Sequence, residues 1–195
     1  MGQSGAVDER AGRWELLFAD VDAEFEALRR EEMTAETADR SRREFALVAF
    51  VDRLRAAVGA PLRVWLPDGE PIQGVLRQVG PDWMLLAEDE HRETLVPLAE
   101  VTAVSGLLAR TAVAGAEGAV AAALDLRYAL RRLARDRAPL LVTLRGGRVV
   151  SGTCDRVGRD FLEISEHPPG ERRRLGGAGL ALSVPLTAVL AVRSG

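Results

Sequence analysis

The sequence predicts an α+β protein: N-terminal helices followed by two repeated five-stranded small β-barrels, each preceded by a helix. Three observations lead there. A segment of about 28 residues is written twice, from Pro61 as PLRVWLPDGEPIQGVLRQVGPDWMLLAE and from Pro139 as PLLVTLRGGRVVSGTCDRVGRDFLEISE. Such self-similarity is the signature of a duplicated structural unit. Within each copy, short apolar runs alternate with Gly, Pro and Asp turns, the pattern of short strands. Ahead of each copy, apolar residues recur instead at helical spacing.

The matched positions are turn and strand residues: Pro61/Pro139, Val64/Val142, Leu66/Leu144, Gly69/Gly147, Gly74/Gly152, Val79/Val157, Gly80/Gly158 and Asp82/Asp160. The repeat resumes at LVPLAEVTAV (Leu95 to Val104) and SVPLTAVLAV (Ser183 to Val192), now 88 residues apart instead of 78. The ten extra residues of the second copy fall around PPGERRRLGGAGL and belong to a surface loop.

Taken in order, residues 1–11 are small and polar and read as a loose tail, and 12–58 as a helical segment. Trp14, Leu17, Phe18, Val21, Phe25 and Leu28 fall on one helical face, and its aromatics require a large covering surface. Arg29 to Glu44 is charged, and Phe45, Val48, Val51, Leu54, Ala57 and Val58 restore an apolar stripe. Thr34 suits a second helix cap. Either a hairpin bent near Met33 or one continuous helix satisfies this pattern. Gly59 and Pro61 end it. The first barrel occupies 59–106, with strands at Leu62 to Leu66, Ile72 to Val79, Trp83 to Ala87, Thr94 to Pro97 and Val101 to Val104. Five short strands in so few residues suit a closed barrel, because closure removes sheet edges. A linker over 107–118, a helix over 119–137 and a second barrel over 138–195 complete the chain. Units this small bury only about 60% of the surface of their unfolded chains, so each is expected to lean on the other.

Composition bounds the function. The single cysteine, Cys154, allows no internal disulfide and no multi-cysteine metal site, and reads as a buried thiol. No apolar run approaches the ~18 residues of a membrane helix, and the opening residues lack a secretory pattern. A cytoplasmic chain without cofactor or metal is expected. All 26 basic residues are arginine, a bias that lowers the information in any one of them. Net charge is −4 over 1–59, −4 over 60–110 and +5 over 111–195. That polarity suits contact between an acidic half and a basic half, within one chain or between two.

Motifs for catalysis are missing: the sequence contains no P-loop, G-x-G-x-x-G, G-x-S-x-G or H-E-x-x-H. His91 sits in EDEHRE and reads as part of a solvated loop, since hard cations need several converging oxygens. His167 precedes two prolines, and Asp82 and Asp160 read as turn residues. Two candidate surfaces remain. Trp14, Phe18, Val21 and Phe25 form a partner-binding or self-association seam, unless the helix folds back on the first barrel. Arg127, Arg131 and Arg135, one helix face, and Arg172, Arg173 and Arg174, on the inserted loop, form a possible anion or nucleic-acid site. The expected function is that of a non-catalytic adaptor that binds a protein partner or itself, with a nucleic-acid-binding regulator as the alternative.

The stretches LPDGEPIQGVLRQVGPDWMLL and LRGGRVVSGTCDRVGRDFLEI resemble the first signature of Sm-like small barrels, a subset of SH3-like barrels, and the resemblance covers both repeats. It implies an oligomeric RNA-binding fold. Its RNA contacts would fall after the turn aspartate, where this chain has Trp83 or Phe161, both read as core. They would also fall before the last strand, where Pro97 to Glu100 and Pro185 to Ala188 carry no arginine, so RNA binding does not carry over. With its WELLFADVDAEFEAL opening the chain also resembles a group of actinobacterial proteins of unassigned function, some of which bear a Fis-type transcriptional-regulator label. The ending GLALSVPLTAVLAV is a strand pattern and leaves no recognition helix for a major groove.

Overall fold

The computed structural model describes residues 5–112, 123–168 and 181–194, with side chains described for 24–26 and from Leu28 onward. The chain divides into two units, Met1–Val48 and Ala49–Gly195. The first is a single helix, α1 (Gly5–Ala46), of 42 residues, about 60 Å long at ~1.5 Å per residue. It runs unbroken through Met33. Thr34 caps nothing; its hydroxyl donates to the Arg30 carbonyl (2.7 Å) and that of Thr37 to Met33 (2.7 Å), as threonines do inside a helix. Pairs such as Arg40 with Glu44 (3.1 Å) support the charged half at i, i+4.

The second unit holds α2 (Phe50–Ala56), strands β1 (Pro61–Trp65), β2 (Ile72–Val79), β3 (Trp83–Ala87), β4 (Glu93–Pro97) and β5 (Ala103–Ser105), then α3 (Leu126–Asp136). After α3 come β6 (Pro139–Leu144), β7 (Val149–Val157), β8 (Phe161–Glu166), β9 (Ala181–Pro185) and β10 (Val189–Ser194). The ten strands make one antiparallel sheet in the order β5-β1-β2-β3-β4-β10-β6-β7-β8-β9. The expectation of two closed five-stranded barrels, each preceded by a helix, is therefore corrected: this is a β-rich α+β fold on one open sheet, with three helices among the described residues. Closure of the first repeat requires β5 to reach β4, but β5 pairs with β1 alone and β10 takes the free side of β4. In the second repeat β9 pairs only with β8. Eight of the nine junctions lie within a repeat, and the ninth, β4 with β10, joins the repeats and removes the edge that closure of each would otherwise have removed.

The repeated glycines follow from strand crowding. A Cβ on Gly74 would lie 2.6 Å from the Ala87 carbonyl oxygen, and one on Gly152 would lie 2.3 Å from that of Ser165. Each sits where the second strand of a repeat presses on the third, just before a register shift, Leu76/Gln78 in one copy and Cys154/Arg156 in the other.

Two cores form, and the middle strands serve both. Met84, Leu86 and Val96 join Leu54, Ala57, Leu62, Val64 and Leu76 in the first. Trp83 and Leu95, on the opposite face of β3 and β4, join Leu126, Leu130, Leu140, Val142, Ile164 and Val192 in the second. β10 likewise gives Val189 and Val192 to one core and Ala191 to the other, with a bulge between Val189 and Ala191. Strands buried on both faces read as continuous apolar runs, as WMLLA does. α2 packs on β2 through Leu54 and Ala57, and α3 on β7 through Leu126 and Leu130.

Candidate functional site

Two surfaces come from the sequence, and the structure locates part of each. On α1, Phe25 is 59% exposed and Leu28 53% exposed, three residues apart on one face. The Arg29 guanidinium lies 5.9 Å from the Phe25 ring centroid, a cation–π contact along the helix surface. The side chains of Trp14, Phe18 and Val21, which share that face by spacing, lie outside the described residues, within the helical backbone of α1.

The arginine face of α3 is partly occupied. Asp125 caps the helix, its Oδ1 accepting from the Tyr128 N–H (2.9 Å), and the guanidinium of Arg127 closes on its Oδ2 (Nε at 2.7 Å). Arg131 and Arg135 are exposed. Arg172, Arg173 and Arg174 lie outside the described residues. The structure thus places Arg127, Arg131 and Arg135 on one helix, with the first already paired to a carboxylate.

The N-terminus of α3 is also where the repeats interlock, a contact that the sequence does not announce. Asp82 Oδ1 accepts from the Leu126 N–H (2.8 Å), and the Trp83 indole N–H donates to the Leu124 carbonyl (2.7 Å). Burial pushes the Asp82 carboxyl above its ordinary value, with the Leu126 N–H acting against it and Asp125 reinforcing it. At Asp125 burial pushes upward too, but the Tyr128 N–H and Arg127 outweigh it and hold the carboxyl below its ordinary value. The two carboxylates share one helix start, whose free N–H groups favour negative charge. Trp83 is 5% exposed, as expected of core, whereas Phe161, its counterpart, is 38% exposed. The expectation that Phe161 is core fails because nothing among the described residues covers it as the Leu124–Leu126 segment covers Trp83.

Further ties span the repeats. Arg145 donates to the buried Glu100 carboxylate (2.7 Å) and to the Thr187 carbonyl (3.0 Å), and the Gly146 N–H donates to Asp68 (2.7 Å). Arg193 of β10 donates to Glu88 beside β4 (2.9 Å). The β3–β4 turn overhangs β6, β7 and β10 and leaves a cleft of about 620 Å³, lined by Asp89, His91, Leu140, Ser151 and Arg193 among others. Within that turn Asp89 accepts from the backbone of His91 (2.9 Å) and Arg92 (2.8 Å) and from the Arg92 side chain (2.6 Å). The His91 N–H and the Arg92 side chain lower the Asp89 pKa. The other histidine, His167, meets the Thr153 hydroxyl through Nε2 (2.7 Å). Cys154 is buried, and its thiol is pushed up to about 11 by burial and then by Asp155. No group of three His, Cys, Asp or Glu side chains among the described residues is placed to hold a metal ion, and no described helix is long and apolar enough to cross a membrane.

Comparison of the chain with protein families and with curated proteins finds no match.

Proposed function

We propose that this chain is a non-catalytic cytoplasmic interaction protein, whose α1 seam of Trp14, Phe18, Val21 and Phe25 binds a protein partner or a second copy. The observation that carries this reading is the apolar face of α1, with Phe25 and Leu28 both more than half exposed on a helix otherwise dense in charge. Apolar side chains grouped on one face mark association surfaces. The shifted titratable groups support the non-catalytic part, because each serves the fold. Asp82 and Asp125 cap α3, Asp89 closes a turn, and Cys154 is a protonated core thiol.

The test is the double change Phe18→Ala with Phe25→Ala, followed by light scattering and thermal melting. A seam that binds outward changes the solution mass and leaves the melting of the sheet unit in place. An unchanged mass with a lowered melting temperature overturns the reading, because the seam is then internal core. The same protein, titrated with duplex DNA at low and near-physiological salt, should show no binding. Affinity that falls with salt at a log-log slope of about −0.9 per phosphate, and that disappears on changing Arg131 and Arg135 to Ala, replaces the adaptor with a nucleic-acid-binding regulator.

A further inference from the structure

We propose that the cleft where the repeats join is a binding site for a small monocarboxylate with an apolar body, held by the guanidinium of Arg193. The cleft is built from both copies of the duplicated unit. Its floor belongs to the second repeat, through Pro139 and Leu141 of β6, Ser151 of β7 and Arg193 of β10, and its roof to the first, through His91 and Arg92 of the β3–β4 turn. At about 620 Å³ it has the size of a small-molecule site, and such sites combine apolar walls with a few placed polar groups. Pro139 and Leu141, both half-buried, supply apolar surface.

Arg193 supplies the charge. Its Nε donates to Glu88 (2.9 Å), and the same carboxylate accepts from the hydroxyl of buried Thr94. Those contacts orient the guanidinium through Nε and leave both terminal nitrogens without a partner among the described residues. A planar carboxylate takes such a fork with two parallel hydrogen bonds. The surrounding charges set the class of anion. Glu88, Asp89 and Glu90 stand at the cleft against Arg92 and Arg193, and Asp89 already holds Arg92 (2.6 Å). A single negative charge is tolerated there, whereas a phosphate dianion is repelled. The first repeat shows what is particular to the junction. It carries the equivalent cleft, about 410 Å³, lined by Pro61, Arg63, Gln73 and Ser105 where the second has Pro139, Leu141, Ser151 and Arg193. Serine stands in the place of Arg193, Arg63 lies by the Trp65 ring (5.9 Å to the centroid), and no turn overhangs the cleft among the described residues. The joining of the repeats, and not the fold of either one, makes the site.

Benzoate is the probe, followed through the backbone amide spectrum of the isotope-labelled chain. It should shift the amides of His91, Leu141, Ser151 and Arg193 saturably, with half-saturation at about 1 mM or below, within reach of so small a ligand. Benzamide, which keeps the ring without the charge, and phenyl phosphate, close to a dianion at pH 7, should each bind at least tenfold more weakly. Arg193→Gln should weaken benzoate binding at least tenfold. Ser151→Phe, which fills the cleft with a residue suited to a strand, should abolish it in a chain whose fold circular dichroism confirms, and decides alone if Arg193→Gln does not fold. Arg63→Gln, in the cleft of the first repeat, should leave binding unchanged. Absence of saturable shifts, shifts that map elsewhere, equal or tighter binding of benzamide or phenyl phosphate, or binding that survives Arg193→Gln or Ser151→Phe overturns the proposal. The site owes nothing to α1, so neither result bears on the helix seam.

Discussion

Asp82 and Trp83 against Asp160 and Phe161 set the scale of single residues. The two pairs are equivalent in sequence and in turn geometry: the Leu98 N–H donates to the Asp82 carbonyl and the Leu186 N–H to that of Asp160. Among the described residues, a helix start covers only the first pair. Trp83→Ala should cost about 3–5 kcal/mol, the range for a buried aromatic, and Phe161→Ala clearly less, because Phe161 is already 38% exposed; urea midpoints measure both. The carboxylates at the start of α3 should give opposite pH slopes. Because the Asp82 pKa is raised in the folded chain, its contribution favours folding below the ordinary value of 3.8 and is lost as pH rises through the folded value. The Asp125 pKa is lowered, so its contribution is present above 3.8 and is lost as pH falls through the folded value. Asp82→Asn, which keeps an acceptor for the Leu126 N–H, should leave the chain at least as stable at pH 7, and Asp125→Asn should destabilise it there; midpoints between pH 3 and 7 decide. The turn role of Asp82 is legible in Gly-Pro-Asp, but its bond to Leu126 is not, because no local pattern says which helix start will arrive 44 residues on.

Element positions were largely written in the sequence. Alternation and turn residues place β1 to β4 within a residue or two, and Gly59 with Pro61 marks the end of the helices ahead of them. Partner choice was not written there. The run VLAV at 189–192 says strand and does not say that its neighbours are β4 and β6, since both faces of that strand are apolar and period gives no preference. The ends of the helices carry a further legible trace of duplication. Gly59 follows α2 at φ 90°, and its counterpart after α3 is Arg137 at φ 48°, which alone among the described non-glycine residues adopts positive φ. Glycine is the residue suited to that left-handed cap. Arg137→Gly should therefore raise stability by about 0.5–1 kcal/mol, read as a higher melting temperature. A decrease would mean that the arginine side chain contributes more than the backbone strain costs.

At the scale of the sheet unit, the two cores cannot separate, because β3, β4 and β10 each bury residues in both. Leu86→Ala in the first core and Leu130→Ala in the second should each cost about 2–5 kcal/mol and should shift one common transition. Hydrogen exchange would show it: amides of β2 and β7 should lose protection together in either variant, and a change confined to one repeat would reveal two independent folding units. The sequence led to two barrels because each repeat contains every strand that a barrel needs; what it concealed is that the last of them lies between the halves. Order of synthesis gives this arrangement a cost in time. After β5 has emerged, about 80 residues must still be made before β10, and at ~5–20 residues per second that takes roughly 4–16 s. Throughout that interval the nascent β4 has an edge with no strand to meet it, and Trp83 and Leu95 lack the rest of their core. A neighbouring nascent chain on the same message carries the same waiting edge, so the β4 side of this protein is where a ribosome-associated chaperone would have most to protect.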